Sequence, residues 1–140
     1  PAAPASTAAA VEDGGPARSS APAETAAPVL AVRAAFAAGE THIDGAARLR
    51  LKESDRLRAI AEGLTALGAF VTEREDGLTV HGGGVAGGAV DGYGDHRMVM
   101  LASIAATKCE QPIEMDGIEA IDKSWPEYLK VYQMLGGKCE

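Results

Sequence analysis

The 140-residue chain has no surplus of positive charge: 13 Lys and Arg stand against 20 Asp and Glu, a net charge of −7. Nucleic acids and anionic membranes hold proteins through an excess of cations, so neither is expected as a partner, and any cation that matters must act locally. Cysteine is scarce too. Cys109 and Cys139 have neither metal-ligand spacing nor His neighbours, and they read as reduced structural thiols of a cytosolic protein. No segment approaches the roughly 18 uninterrupted apolar residues of a membrane span. The first residues lack the basic start and apolar run of a signal peptide and most of the Arg of a transit peptide. A soluble, cytoplasmic protein is expected. The glycines between Gly82 and Gly94 match neither a P-loop nor a dinucleotide fingerprint and read as a turn and connection.

What is present divides at about residue 28. Residues 1–27 hold eleven Ala and four Pro with hardly a large apolar side chain to bury, the composition of a disordered leader or linker. Residues 28–140 carry the folding information. Pro28–Ala38 reads as a short helix, Thr41–Gly45 as a strand ending in an Asp-Gly turn, and Ser54–Leu67 as an amphipathic helix with Leu57, Ile60, Ala61, Leu64 and Leu67 on one face. Ala69–Glu75 and Leu78–His81 flank Asp76-Gly77 as a hairpin. Val90 centres a further strand. Asp95 caps a helix whose buried face is Met98, Leu101, Ala102 and Ala105, and Ile113–Gly117 repeats the strand and Asp-Gly turn. Ser124 is expected to open the last helix, with Glu127 completing a capping box. Gly45 and Gly117 lie 72 positions apart, with Lys52 and Lys123 seven and six residues further on. Two stacked copies of one α/β unit are implied, the second incomplete.

The candidate site gathers at expected helix starts: Lys52, Glu53 and Arg56 at one, His96 and Arg97 at another, Lys123 at a third. The plain reading of each is a solvated helix face, with Glu53 and Arg56 as an ordinary i, i+3 ion pair. Cations at helix N-termini oppose the helix dipole, however, and their recurrence at three such places suggests an anionic ligand that compensates. Glu53, a lone carboxylate among cations, is a candidate for proton exchange. His42 and His81 fall on expected strands outside any cluster and receive structural or surface roles.

Three motifs, Lys52-Glu-Ser-Asp-Arg56, Tyr93-Gly-Asp-His-Arg-Met98 and Lys123-Ser-Trp-Pro-Glu-Tyr128, together and in this order closely resemble the C-terminal signatures of the 5-enolpyruvylshikimate-3-phosphate (EPSP) synthase family. The resemblance covers residues 28–140. It implies an α/β fold of repeated βαβαββ units, the inside-out α/β barrel of the enolpyruvyl transferases, here an incomplete domain. The implied reaction moves the enolpyruvyl group of phosphoenolpyruvate to the 5-hydroxyl of shikimate 3-phosphate, without metal or organic cofactor. By resemblance, Arg56, Arg97 and Lys123 hold phosphoenolpyruvate, with His96 beside them as a catalytic residue. Lys52, catalytic and binding shikimate 3-phosphate, lies near the shikimate 5-hydroxyl and the intermediate, and Glu53, also catalytic, exchanges the proton at the methylene carbon. Thr25 stands near where the family places an Asp that contacts shikimate. The rest of the cleft is expected from elsewhere, which makes a complementing N-terminal fragment a further partner and this portion inactive alone. The alternative is a non-catalytic module that keeps the fold and a weak anion site.

Overall fold

The computed structural model describes the backbone of residues 7–12 and 15–140, with side chains from Ala26 onward. Its elements in chain order are strands β1 (Thr7–Glu12) and β2 (Gly15–Pro22), helix α1 (Ala23–Phe36), strand β3 (Glu40–Ile43), a 3-10 turn (Ala47–Leu51), helix α2 (Arg56–Ala66), strands β4 (Phe70–Arg74), β5 (Gly77–His81) and β6 (Gly88–Asp91), helix α3 (His96–Ala106), strand β7 (Ile113–Asp116), a second 3-10 turn (Ile118–Lys123) and helix α4 (Tyr128–Met134). The strands form one sheet in the order β2-β1-β3-β5-β4 and a parallel pair β6-β7. Among the described residues no helix is long and apolar enough to cross a membrane.

The two amphipathic stripes fold as the spacing requires. Leu57, Ile60, Ala61, Leu64 and Leu67 of the α2 stripe are all buried, as are Met98, Leu101, Ala102 and Ala105 of α3, and they share one core with Ile43, Leu78 and Val80 of the sheet. Each fully buried Leu or Ile contributes roughly 2 kcal/mol of hydrophobic stabilisation, an upper bound because unfolded chains already bury some surface. Gly63 lets α2 and α3 approach: a methyl group there would sit 2.9 Å from Met98 Cε and 3.3 Å from Val90 Cγ2.

The repeat is visible in the backbone. β3 and β7 each run into an Asp-Gly pair whose glycine is left-handed, Gly45 at φ 66° and Gly117 at φ 76°, and each is followed by a 3-10 turn. The first residues of α2 and α4, Arg56 and Tyr128, keep the 72-residue offset. Two details differ from expectation. Ser124 does not cap α4: the helix begins at Tyr128 and its N-cap, Glu127, makes no side-chain capping bond. Lys123 therefore closes the 3-10 turn that packs on α3 through Val99, Ala120 and Ile121, rather than standing at a helix start.

The hairpin also closes one residue earlier than its sequence suggests. Arg74 pairs with Gly77, so Glu75-Asp76 is the loop and Gly77 belongs to β5. What the glycine supplies is clearance, since a Cβ there would collide with the Ile43 carbonyl oxygen. The Ala/Pro-rich segment, expected to be disordered, is paired in its described residues: β1 and β2 form an antiparallel hairpin, and Ala8 of β1 pairs with Ile43. An open sheet edge leaves backbone donors and acceptors to be satisfied, and small-residue segments can do so without a core of their own. Residues 1–6 and 13–14 of that segment lie outside the described residues.

Candidate functional site

Arg56 is the first residue of α2 and its side chain is almost completely buried. A guanidinium cannot shed its charge, so burying one requires acceptors. Asp95, itself fully buried, supplies two: Arg56 Nε donates to Oδ2 at 2.9 Å and Nη2 to Oδ1 at 3.0 Å, a bidentate fork. Glu53 Oε2 accepts a further bond from Nη2 at 2.6 Å. Nη1 makes no bond among the described residues and is not sealed from solvent.

Asp95 has a second occupation. As N-cap of α3 it accepts from the Arg97 backbone N–H at 2.9 Å, and it accepts from Ser54 Oγ at 2.8 Å. One carboxylate thus ties the loop before α2 to the start of α3. Burial pushes the Asp95 pKa up, but the bonds from Arg56, Ser54 and the Arg97 N–H outweigh it and hold the carboxyl below its ordinary value. A hydrogen bond from its own backbone N–H, with the Arg56 charge adding to it, holds Glu53 below the usual carboxylate range, against the opposing effects of burial and of Asp95. Both are carboxylates at neutral pH. His96 Nδ1 lies 3.8 Å from Asp95 Oδ1.

Of the residues expected from the sequence, the fold brings Glu53, Arg56 and His96 together around Asp95. Lys52 is exposed beside Glu53, Arg97 contributes its backbone N–H, and Lys123 is exposed on the 3-10 turn next to α3. Among the described residues the side chains of Lys52, Arg97 and Lys123 enter no ion pair. At the starts of α2 and α3, Asp55 and Asp95 already accept from the backbone N–H groups of Arg58 and Arg97. The Thr25 side chain lies outside the described residues.

Two residues escaped the sequence reading. Asp95 was legible as a cap, but nothing in local spacing pairs it with an arginine 39 positions away. Ser54 was legible at the mouth of α2 beside Asp55, which is the cap, its Oδ1 accepting from Arg58 N at 3.2 Å, but the Ser54 bond to Asp95 was not. His42 and His81 are not isolated either: Glu40 reaches His42 Nε2 at 2.8 Å and His81 Nδ1 at 3.3 Å on the sheet face.

Glu53, Asp95 and His96 offer three ligand atoms within 4.8 Å of one another, which raises the question of a cation. Both Asp95 oxygens are already occupied, and the Arg56 guanidinium sits among the same atoms. A metal ion would have to displace it. The donor set fits an anion lying against the cations better than a cation among the carboxylates.

A family model described as EPSP synthase (3-phosphoshikimate 1-carboxyvinyltransferase) matches residues 19–132. The chain is 47% identical over 111 residues to the 3-phosphoshikimate 1-carboxyvinyltransferase of Clostridium acetobutylicum, a match covering 79% of this chain and 26% of that protein. It is 49% identical over 109 residues to the protein of the same name from Thermosynechococcus vestitus, covering 77% and 25% respectively. Among solved structures, an EPSP synthase from Acinetobacter baumannii superposes with a TM-score of 0.75 at 36% identity, over 82% of this chain and 27% of that one. The chain spans about a quarter of the length of these relatives. The mixed α/β architecture, the two repeated units and the Arg56–Asp95 centre therefore belong to a member of the EPSP synthase family.

Proposed function

We propose that this chain forms one wall of an enolpyruvyl-transfer site that takes phosphoenolpyruvate and shikimate 3-phosphate. The observation that carries the reading is the buried Arg56, clamped by Asp95 and Glu53 with Nη1 left over. A guanidinium held on two edges presents its third nitrogen in a fixed place, which suits a phosphate or carboxylate oxygen. Arg97 and Lys123, with no ion pair of their own among the described residues, are proposed to share the phosphoenolpyruvate charge. His96 is proposed to stand beside it, and Lys52 to serve shikimate 3-phosphate at its 5-hydroxyl.

In the proposed reaction the 5-hydroxyl oxygen bonds to the enol carbon and gives up its proton, which ends on the departing phosphate, while the methylene carbon takes a proton from Glu53, giving a tetrahedral intermediate. Expulsion of phosphate then returns that proton and restores the double bond. Glu53 is proposed as the group that exchanges it. As a carboxylate below its ordinary pKa it is a poor proton carrier in the free protein. Bringing substrate anions beside it and excluding water both favour the neutral form and move it toward that task. The rest is positioning and charge stabilisation.

Turnover is assigned to this chain together with a polypeptide supplying the rest of the family's length. Calorimetry with each substrate, and phosphate release with both, are to be run on the chain alone and with the preceding three quarters of a relative added. Weak binding of phosphoenolpyruvate alone and phosphate release only on complementation are expected. Phosphate release by the chain alone would overturn the need for a partner, and absence of heat in both conditions would overturn the site itself.

A further inference from the structure

The apolar faces of α2 and α3 bring the two helices into one core, but the Arg56–Asp95 fork also needs the loop before α3 to be set at the right height against α2. Among the described residues Tyr93, in that loop, is the only non-glycine residue in the left-handed region, at φ 55°. A bulky aromatic residue is costly there and persists only where surrounding contacts over-determine it. Those contacts are present. The Tyr93 backbone N–H donates to Asp91 Oδ1 at 2.7 Å, closing a turn, and Asp95 N donates to Gly92 O at 3.0 Å. The phenol hydroxyl donates to Glu62 Oε1 on α2 at 2.6 Å. The other Glu62 oxygen is held by Arg58 Nε at 3.1 Å, one turn earlier on the same helix. The ring packs against the main core, so its path to Glu62 is fixed.

The loop is therefore attached to α2 at two points: at the helix start through Asp95 and Arg56, and six residues along through Tyr93 and Glu62. We propose that Tyr93 is a positioning residue, whose left-handed backbone and bond to Glu62 hold the loop so that Asp95 meets Arg56 edge-on. Among the described residues its hydrogen bonds go to Asp91 and Glu62, neither of which is assigned to substrate. The proposed function explains why that geometry matters, but the geometry itself can be measured without substrate, so the two can fail separately. The bond has a second mark: burial, followed by the hydrogen bond to Glu62, pushes the Tyr93 hydroxyl up to about 12.

The test is hydrogen exchange by NMR at the Arg56 Nε–H and the Arg97 backbone N–H, both of which donate to Asp95. Tyr93→Phe keeps the ring and removes the hydroxyl; Glu62→Ala removes the acceptor without touching the loop, so the test does not depend on one variant folding. Both are expected to speed exchange at these two sites roughly tenfold, the scale of losing one hydrogen bond to a charged group. The amides of Ile60 and Leu64, within α2, are expected to change by less than about twofold. Glu62→Gln keeps an acceptor oxygen without the charge and is expected to recover part of the difference, with exchange between the Glu62→Ala and parent rates. Unchanged exchange at Arg56 Nε–H in Tyr93→Phe or Glu62→Ala would overturn the proposal. Equal acceleration at Ile60 and Leu64 would also overturn it, since that is general loosening rather than positioning.

Discussion

Asp95→Ala is expected to be among the most damaging single substitutions in the chain. The carboxylate accepts four hydrogen bonds, two from Arg56, one from Ser54 and one from the Arg97 N–H, and is fully buried. Removing it leaves the buried guanidinium with Glu53 alone, and Glu53 is about half exposed, so water screens that attraction. Breaking a buried pair from one side costs about 3–5 kcal/mol, and loss of an N-cap about 1 kcal/mol. The two losses overlap, and about 4 kcal/mol is a fair expectation for the whole. Against a total stability of roughly 5–15 kcal/mol, that is a large fraction. In urea unfolding followed by far-ultraviolet circular dichroism, with a slope of about 2 kcal/mol/M, the midpoint should fall by about 2 M. Asp95→Asn keeps the shape and one acceptor oxygen and should lose less than the alanine variant. Replacing the pair together, Arg56→Met with Asp95→Leu, should recover much of the loss, because no unpaired charge is then left buried. An Asp95→Ala loss below about 1 kcal/mol, the scale of an exposed ion pair, would refute the reasoning, since it would mean that water or another group already satisfies Arg56.

Acid should find the same weak point. The folded-state pKa values of Asp95 and Glu53 lie below their ordinary values of 3.8 and 4.5. Their contribution is therefore fully present above the unfolded values and lost as pH falls below about 4 through the lower folded ones. Urea midpoints measured from pH 7 to pH 2.5 should fall on that limb, and the fall should be shallower in Asp95→Asn. Thr41→Val should act in the opposite direction. Thr41 is fully buried on β3, and its hydroxyl oxygen finds no partner among the described residues. Exchange for an isosteric methyl removes an unsatisfied polar atom and should stabilise by about 1 kcal/mol, raising the melting temperature by about 4 °C in a calorimetric scan.

Much of the fold could be read locally. The α2 and α3 stripes, the Asp-Gly glycines after β3 and β7 and the Asp95 cap each follow from spacing or from a single residue's conformational freedom. Errors fell where local cues compete with tertiary contacts. Asp76-Gly77 carries a hairpin signature, yet the close Ile43 carbonyl claims the glycine for the strand. Ser124 and Glu127 have capping-box spacing, but the chain continues as a 3-10 turn packed on α3, so the helix starts later.

The sequence by itself determined which residues are candidates for the site, because Lys52, Glu53, Arg56, His96, Arg97 and Lys123 sit in motifs that can be recognised without a structure. It also determined the two buried helical faces, through period alone. Only the tertiary structure decided that Arg56 is buried and that Asp95 is its partner. It decided, too, that the loop carrying Asp95 is held to α2 by a tyrosine in a strained conformation. The physical reason is range. Periodicity and capping act over a few residues, whereas desolvating a charge and satisfying it again depends on groups brought together from 39 positions apart.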